Sequence, residues 1–209
     1  MRPLLLALAV ATLLAACSGP STSLPVVGPP SPDEIALKSG DVPAGLTACP
    51  GSGPIDTYIQ ALRTKDPDGY ASLKDAWDTL KRNGADAAAI VAYVGDPAVA
   101  CVGSLGAGQG KSATSFVIRY RDLGSATTAY KRGLLQFPTP QQGQQTPGLT
   151  VGAATGLGSN SWVYEAAASG KTAYLAFWQV NQFDVMVLTA DLDAADSRRA
   201  ADAVNSRAR

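Results

Sequence analysis

Residues 161–190, SWVYEAAASGKTAYLAFWQVNQFDVMVLTA, carry the clearest secondary-structure signal in the chain. Aromatic and β-branched residues dominate three runs, which Ser169-Gly170 and residues 181–183 interrupt. Glycine and asparagine favour the positive backbone angles of tight hairpin turns. The pattern therefore predicts a meander of three consecutive antiparallel strands, at residues 161–167, 172–180 and 184–190.

Further strand and helix signals lie on both sides of the meander. SFVIRY at residues 115–120 predicts a strand. Ser125 is expected to cap a helix whose inner apolar side chains include Phe137. Residues 150–155 predict another short strand, and Asp193 is expected to cap a final alanine-rich helix.

Helix signals dominate the part of the chain before residue 95. Pro54 suits the first position of one helix, and Asp66-Pro67 provides the cap and first residue of a second. The alanine-rich run at residues 87–94 fits either a helix or a strand, and we predict a third helix. The predicted fold class is α+β, with N-terminal helices and an antiparallel sheet that ends in the C-terminal meander. The helices are expected to pack on one face of this sheet.

The aromatic side chains of the meander give the one hint of a binding surface. Alternation along a strand sends Tyr174 and Trp178 to one face of the sheet and Phe177 to the other. A sheet that is covered on one side should be apolar on one face only. The second face is therefore either covered by other segments, which we favour, or open as a groove for a ligand or partner. The candidate binding residues are Trp162, Tyr164, Tyr174, Phe177 and Trp178.

Composition limits the chemistry that the chain can perform. The sequence contains no histidine, which is the commonest general base and metal ligand, and 17 basic residues balance 17 acidic ones. No basic patch suggests nucleic acid as a partner. Two groups of carboxylates lack the spacing of a calcium-binding loop: Asp66 with Asp68, and Asp191 with Asp193 and Asp196. Helix capping explains Asp66 and Asp193 without a metal. We therefore predict no catalytic residue, no metal and no cofactor.

The glycine-rich stretch at residues 103–112 is similar to a phosphate-binding loop only at its end. It finishes in Gly110-Lys111-Ser112, but Leu105 stands where the phosphate-binding loop has its first glycine. A strand is predicted directly after the stretch, where the phosphate-binding loop requires the N-terminus of a helix. The stretch is interpreted as a linker between the helical part and the sheet.

The first residues of the chain indicate export and anchoring. The apolar run at residues 4–14 is too short to span a hydrocarbon core of ~30 Å, but it is typical of a removable signal. Leu14-Ala15-Ala16-Cys17 resembles the lipobox of bacterial lipoproteins. The resemblance implies cleavage before Cys17, diacylation of its sulfur and attachment to the extracytoplasmic face of the cell membrane, where two acyl chains give stable anchoring. The alternative is an ordinary secretory signal with an incidental cysteine.

This interpretation divides the chain into three parts. Residues 1–16 are the signal peptide, residues 17–33 are the lipidated cysteine with a tether rich in proline, serine and glycine, and residues 34–209 are a single extracytoplasmic domain. Lipid on Cys17 leaves Cys49 and Cys101 in a compartment that permits disulfides. We predict a disulfide between these two, and the alternative is a pair of free buried thiols.

The order of elements and the cysteine pair resemble small extracytoplasmic sensor-like domains and lipoproteins of actinobacteria. This resemblance assigns no functional residue. Together with the anchor it favours a membrane-anchored, non-enzymatic binding or sensor-like domain whose partner is an apolar ligand or an envelope protein. The alternatives are a cell-envelope enzyme that uses carboxylates, for example on glycans, and a purely structural envelope lipoprotein.

Overall fold

A computed structural model describes residues 28–97, 101, 110–135, 137–141 and 143–209. The strands are β1 Thr47–Ala48, β2 Gly53–Pro54, β3 Ala85–Val94, β4 Ser112–Tyr120, β5 Leu149–Val151, β6 Ser161–Ala168, β7 Lys171–Val180 and β8 Phe183–Ala190. The α-helices of this part are α1 Pro32–Ile35, α2 Ile55–Lys65, α3 Pro67–Arg82, α4 Leu123–Arg132 and α5 Ala194–Ala208. The strands form one antiparallel sheet in the order β1-β3-β4-β8-β7-β6-β5, with β2 also paired to β3. The fold class is therefore α+β.

The predicted meander is confirmed as β6, β7 and β8, which pair with one another in sequence order. Ser169 and Gly170 have φ angles of 52° and 76°, as a two-residue hairpin turn of the favoured type requires. Asn181, with a φ of 52°, opens the second turn, and Phe183 belongs to β8 rather than to the turn. These tight turns set the register of the three strands.

Helices α2 and α3 lie where Pro54 and Asp66-Pro67 indicate them. Pro54 directly precedes α2, and Oδ1 of Asp66 accepts the N–H of Gly69 at 2.9 Å as the cap of α3. The described chain does not open on these two helices, because α1, β1 and β2 precede them. Pro32, the first residue of α1, is buried, so folded structure begins within the last two residues of the predicted tether.

The helix predicted at residues 87–94 is wrong, because Ala85–Val94 forms strand β3. This strand pairs with β4 along nearly its whole length and with β1 and β2 on its other side. Every residue from Ala88 to Val94 is buried. A strand that is buried on both faces shows no alternation of polar and apolar residues, so its pattern does not distinguish it from a buried helix.

Helices cover both faces of the sheet, so the expected packing on one face is not confirmed. Helices α2, α3 and α4 cover the face that contains Phe116 and Phe177, which we name the α4 face. Helices α1 and α5 cover the opposite face, which contains Val117 and Trp178 and which we name the α5 face. The central strands are apolar on both faces, and a single layer of helices would leave one of these faces in water.

Helix α4 begins earlier than predicted and is shorter. Asp122, rather than Ser125, is its cap, because Oδ1 of Asp122 accepts the N–H of Ser125 at 2.7 Å. The helix ends at Arg132, and Gly133, which follows it, has a φ of 86°. Phe137 therefore lies beyond the helix and is 39% exposed, instead of pointing inward as expected. The inner side of α4 consists of Ala126, Ala129 and Tyr130.

The predicted disulfide joins Cys49 to Cys101. It packs against Ala92 and Val94 near the end of β3, and it ties the segment after β1 to the connection between β3 and β4. The glycine-rich stretch leads directly into β4, as predicted, while its residues 103–109 lie outside the described residues.

The predicted signal peptide, the predicted lipidation site Cys17 and most of the predicted tether lie outside the described residues, which begin at Gly28. Within the described ranges, no helix has both the length and the apolar character needed to cross a membrane. The lipid anchor stays a prediction from the sequence.

Candidate functional site

The five aromatic residues predicted to bind a ligand do not form one surface. Trp162 and Phe177 belong to the α4 face, whereas Tyr174 and Trp178 belong to the α5 face, as strand alternation predicts. These four side chains are buried, and Tyr164 is 37% exposed. Helices on both faces account for this burial, in line with our preference for a covered second face over an open groove.

Trp162 and Phe177 form an aromatic cluster with Tyr130 of α4. The ring of Tyr130 stacks on Phe177 with centroids 5.2 Å apart, and Trp162 meets Phe177 edge-on at 6.0 Å. Burial, and to a smaller extent the charge of Asp184, raises the pKa of Tyr130 to about 12. This cluster is therefore a packed part of the core that α4 covers.

The helices leave the end of the hairpin of β6 and β7 uncovered. Residues 166–173, which we name the hairpin tip, have the sequence AAASGKTA, and all of them except the half-buried Ala166 are exposed. Ala166 pairs with Ala173, and Ala168 pairs with Lys171, so the strands stay regular up to the turn. Small side chains leave both faces of the tip accessible, and a pocket lies on each face.

The larger pocket, which we name the tip pocket, lies on the α4 face and has a volume of about 380 Å³. Its floor includes Ala166, Ala173 and Ala190, which lie opposite one another on three neighbouring strands, and Leu188. Lys171 and Asp191 also line it and supply charge. Oδ1 of Asp191 accepts the backbone N–H of Thr172 at 3.2 Å. The tip pocket is thus an apolar surface with charged groups beside it.

The smaller pocket lies on the α5 face and has a volume of about 210 Å³. Tyr174, Leu192 and the first turn of α5 line it, together with Glu165 and Ser197. Glu165 and Ser197 both have hydrogen-bond partners within the chain. Glu165 Oε1 accepts from Nε and Nη2 of Arg198 at 3.1 and 2.9 Å, and Ser197 Oγ donates to the carbonyl oxygen of Asp193 at 2.9 Å. Burial is the main cause that raises the pKa of Tyr174 to about 12.

The two pockets differ in what they can hold. Small-molecule sites typically have volumes of about 300–1,000 Å³, and of these two only the tip pocket lies in that range. Each pocket contains a single carboxylate, Glu165 in one and Asp191 in the other, whereas glycoside hydrolysis uses a pair. Among the side chains that the structure describes, no group of three or more could hold a metal ion. The tip pocket therefore has the size of a small-molecule site and a largely apolar lining.

A second unusual feature is Asp184, near the start of β8 on the α4 face. This residue is 1% exposed, and its Oδ1 has no hydrogen-bond partner among the described residues. Oη of Tyr120 lies near this carboxyl but also lacks a well-formed hydrogen bond within the same part of the chain. Desolvation raises the pKa of Asp184 to about 8, and Tyr120 opposes this rise. Asp184 is therefore largely protonated at neutral pH, unlike an exposed aspartate.

Neither the hairpin tip nor Asp184 is among the residues predicted from the sequence to bind a ligand, although both leave a signal there. AAASGKTA is a run of small residues inside strands that are otherwise rich in aromatic and β-branched residues. Asp184 is the one charged residue in the strand FDVMVLTA, which otherwise has an apolar pattern on both faces. Whether such positions are exposed or buried depends on the helices that pack above them.

Comparison with known proteins assigns no relative. No protein-family model matches the chain, and no curated protein matches it. The geometry of the hairpin tip and of Asp184 therefore carries the functional argument.

Proposed function

We propose that this protein is a lipid-anchored extracytoplasmic binding domain without catalytic activity, which holds an apolar group in the tip pocket. The tip pocket carries the proposal, because it is an accessible cavity of about 380 Å³ with a floor of alanine and leucine. Helices cover four of the five candidate aromatic residues, all except Tyr164, but they leave this floor in reach of solvent. Accessible apolar surface of this kind is typical of binding sites.

The proposed ligand is amphipathic. Each methylene that leaves water for the pocket floor contributes ~0.8 kcal/mol. Lys171 and Asp191 line the same pocket, so a polar group attached to the ligand can remain solvated beside them. An acyl chain and an aliphatic side chain of an envelope protein share this chemistry.

The binding part of the proposal is tested by placing a charge in the tip pocket. Ala173→Glu puts a carboxylate on the apolar floor, and Lys171 at the turn is the one cation among the described residues that line this pocket. We expect it to weaken the binding of a dansyl-labelled medium-chain fatty acid at least tenfold. The measurement is a fluorescence titration of protein expressed without residues 1–17, so that no acyl chain of its own competes.

The matched control is Ala195→Glu. Ala195 is exposed in the first turn of α5 and lines neither pocket. We expect this variant to bind the probe like the wild type, because a carboxylate is also compatible with a helix N-terminus. Equal weakening by both variants contradicts the assignment to the tip pocket. Wild-type protein that does not bind the probe points instead to a structural envelope role.

The anchoring part of the proposal depends on the lipobox resemblance at Cys17. In cells that are fed radiolabelled palmitate, we expect the wild-type protein to carry label and to stay with membranes after an alkaline wash. Cys17→Ser should lose both properties, whereas Ser18→Ala should keep them. If Cys17→Ser still carries the label, the proposal that lipid is attached to Cys17 is wrong. This outcome would not affect the test of the tip pocket.

A further inference from the structure

Helix α4 packs on the part of the sheet that contains the buried carboxyl of Asp184. The helix contacts β4, β7 and β8. Asp184 on β8 pairs with Gln179 on β7, and Nε2 of Gln179 donates to Oγ1 of Thr127 on α4 at 3.0 Å. This side-chain hydrogen bond therefore fastens α4 to the sheet directly beside Asp184.

The groups around Asp184 offer little compensation for a negative charge. Strand β4 supplies Tyr120, and α4 supplies Tyr130, whose pKa responds to the charge of Asp184. Strand β7 supplies the neutral Gln179. No lysine or arginine of the described residues acts on the pKa of Asp184. Ionisation would thus place an unpaired charge under α4, which is unfavourable in a dry interior.

We propose that α4 is a proton-controlled cover over the aromatic cluster, which opens when Asp184 loses its proton. When α4 moves away, the stack of Tyr130 on Phe177 breaks and Trp162 and Phe177 face water. The motion admits solvent to Asp184, so the carboxylate gains hydration that it lacks under the closed helix. The proposal goes beyond the proposed function and involves no residue that lines the tip pocket.

The attachments of α4 suit such a motion. Its inner side consists of two alanines and one tyrosine, so the helix packs shallowly. It is followed by Gly133, whose φ of 86° is a conformation that glycine adopts at little cost. At the last turn of α4, Nη1 of Arg132 donates to Oδ1 of the exposed Asn83 at 3.1 Å, and Oγ1 of Thr139 donates to the carbonyl oxygen of Tyr130. The last turn of α5 is held by the part-buried Arg207, which donates to the carbonyl oxygens of Ile35 and Ala36 and to the carboxylate of Asp41.

The direction of the pH effect follows from the raised pKa. Under the closed helix the pKa of Asp184 is about 8, whereas an exposed aspartate has a pKa of ~4. Below pH ~4 the carboxyl is protonated in both forms, so opening does not depend on pH. Between about pH 4 and 8 only the open form releases the proton, and opening becomes about tenfold more favourable for each pH unit. Above this range both forms are ionised and the effect levels off.

Hydrogen exchange of the backbone amides, corrected for the intrinsic dependence on pH, tests the proposal. In the wild-type protein at pH 6, we expect amides of α4 to be less protected than those of α5, because α4 opens on its own. Between pH 6 and pH 9 the protection of α4 should fall by about a hundredfold, since two of these three units lie below the pKa of Asp184. In Asp184→Asn, the protection of α4 should not change with pH.

Three outcomes decide the question. If the amides of α4 and α5 are equally protected at each pH, they exchange only through global unfolding, and the proposal that α4 opens on its own is wrong. Protection of α4 that stays constant from pH 6 to pH 9 in the wild type overturns it as well. Both results come from the wild-type protein, so the test stands even if Asp184→Asn does not fold. The matched control is Asp86→Asn, which removes an exposed carboxylate paired with Arg119. We expect this variant to keep the wild-type dependence of α4 protection on pH. Loss of that dependence in Asp86→Asn would also overturn the assignment to Asp184.

Discussion

At the scale of single residues, Arg207 joins the C-terminal helix to the first folded segment of the described chain. Its Nε donates to the carbonyl oxygen of Ile35 at 3.0 Å, and its Nη2 donates to that of Ala36 at 3.1 Å. The guanidinium also bonds both carboxylate oxygens of Asp41, at 3.2 and 2.5 Å. The side chain of Asp41 is only 11% exposed, so water screens this pair poorly. The guanidinium can make all four hydrogen bonds at once because its N–H donors lie in one plane and point in different directions.

Arg207→Lys should lower the free energy of unfolding by about 1–3 kcal/mol, because an ammonium cannot reach two carbonyls and a carboxylate from one position. The measurement is equilibrium unfolding in urea at neutral pH. Arg199→Lys is the matched control on the same helix, since Arg199 pairs with Asp196 at the surface and should contribute less than about 0.5 kcal/mol. Equal losses in the two variants would contradict this account of Arg207.

At the scale of elements, β3 shows why an alanine-rich segment is ambiguous. Alanine has the highest helix propensity, and the run at residues 87–94 offers no polar alternation. The segment is nevertheless a strand, because it is buried between β4 on one side and β1 and β2 on the other. Its backbone N–H and C=O groups need hydrogen-bond partners, and these neighbouring strands supply them. Ala88 is buried under the helices of the α4 face, and Ala89 is buried in the core of the α5 face. At these positions a methyl group leaves room for a helix on each side of the strand.

Ala89→Leu should destabilise the domain by about 1–3 kcal/mol, because Ala89 is fully buried in a packed core and three extra carbons have no space there. Ala87→Leu is the matched control two positions earlier on the strand, where the side chain is only half-buried. The control should change stability by less than about 0.5 kcal/mol. The two variants are compared by thermal unfolding followed by circular dichroism. If Ala89→Leu leaves the stability unchanged, β3 is not packed between two layers of helices.

At the scale of the whole molecule, one sheet is shared by two cores. Alternate residues of the central strands enter the core under α2, α3 and α4 or the core under α1 and α5. The hairpin tip projects from both cores, which is why its small side chains are accessible. The disulfide adds a cross-link at the opposite edge of the sheet, near β1 and the end of β3.

Removing this cross-link should cost roughly 4 kcal/mol, because Cys49 and Cys101 are 52 residues apart and the bond restricts the unfolded chain. The double variant Cys49→Ser with Cys101→Ser leaves no unpaired thiol in the domain, and its unfolding in urea is compared with that of the wild type. Wild-type protein treated with dithiothreitol provides an independent control and should lose about the same stability. If neither treatment changes stability, the disulfide does not support the fold.

Features that depend on residues close together in the chain could be predicted from the amino-acid sequence. The meander and its turns follow from alternation and from Ser169-Gly170 and Asn181, and the caps Asp66 and Asp193 bond the first turns of their own helices. The cysteine pairing was also predicted from the sequence, since the proposed lipid on Cys17 would leave only two cysteines to pair, and the structure shows the bond between Cys49 and Cys101.

Features that depend on contacts between distant parts of the chain followed only from the folded structure. It made residues 85–94 a strand, covered both faces of the sheet, and left the hairpin tip open. It also buried the Asp184 carboxyl under α4, away from any cation that the structure describes. Local sequence contains no information on which helix covers which strand, and the packing of α4 and α5 is what separates the buried aromatic cluster from the accessible tip pocket.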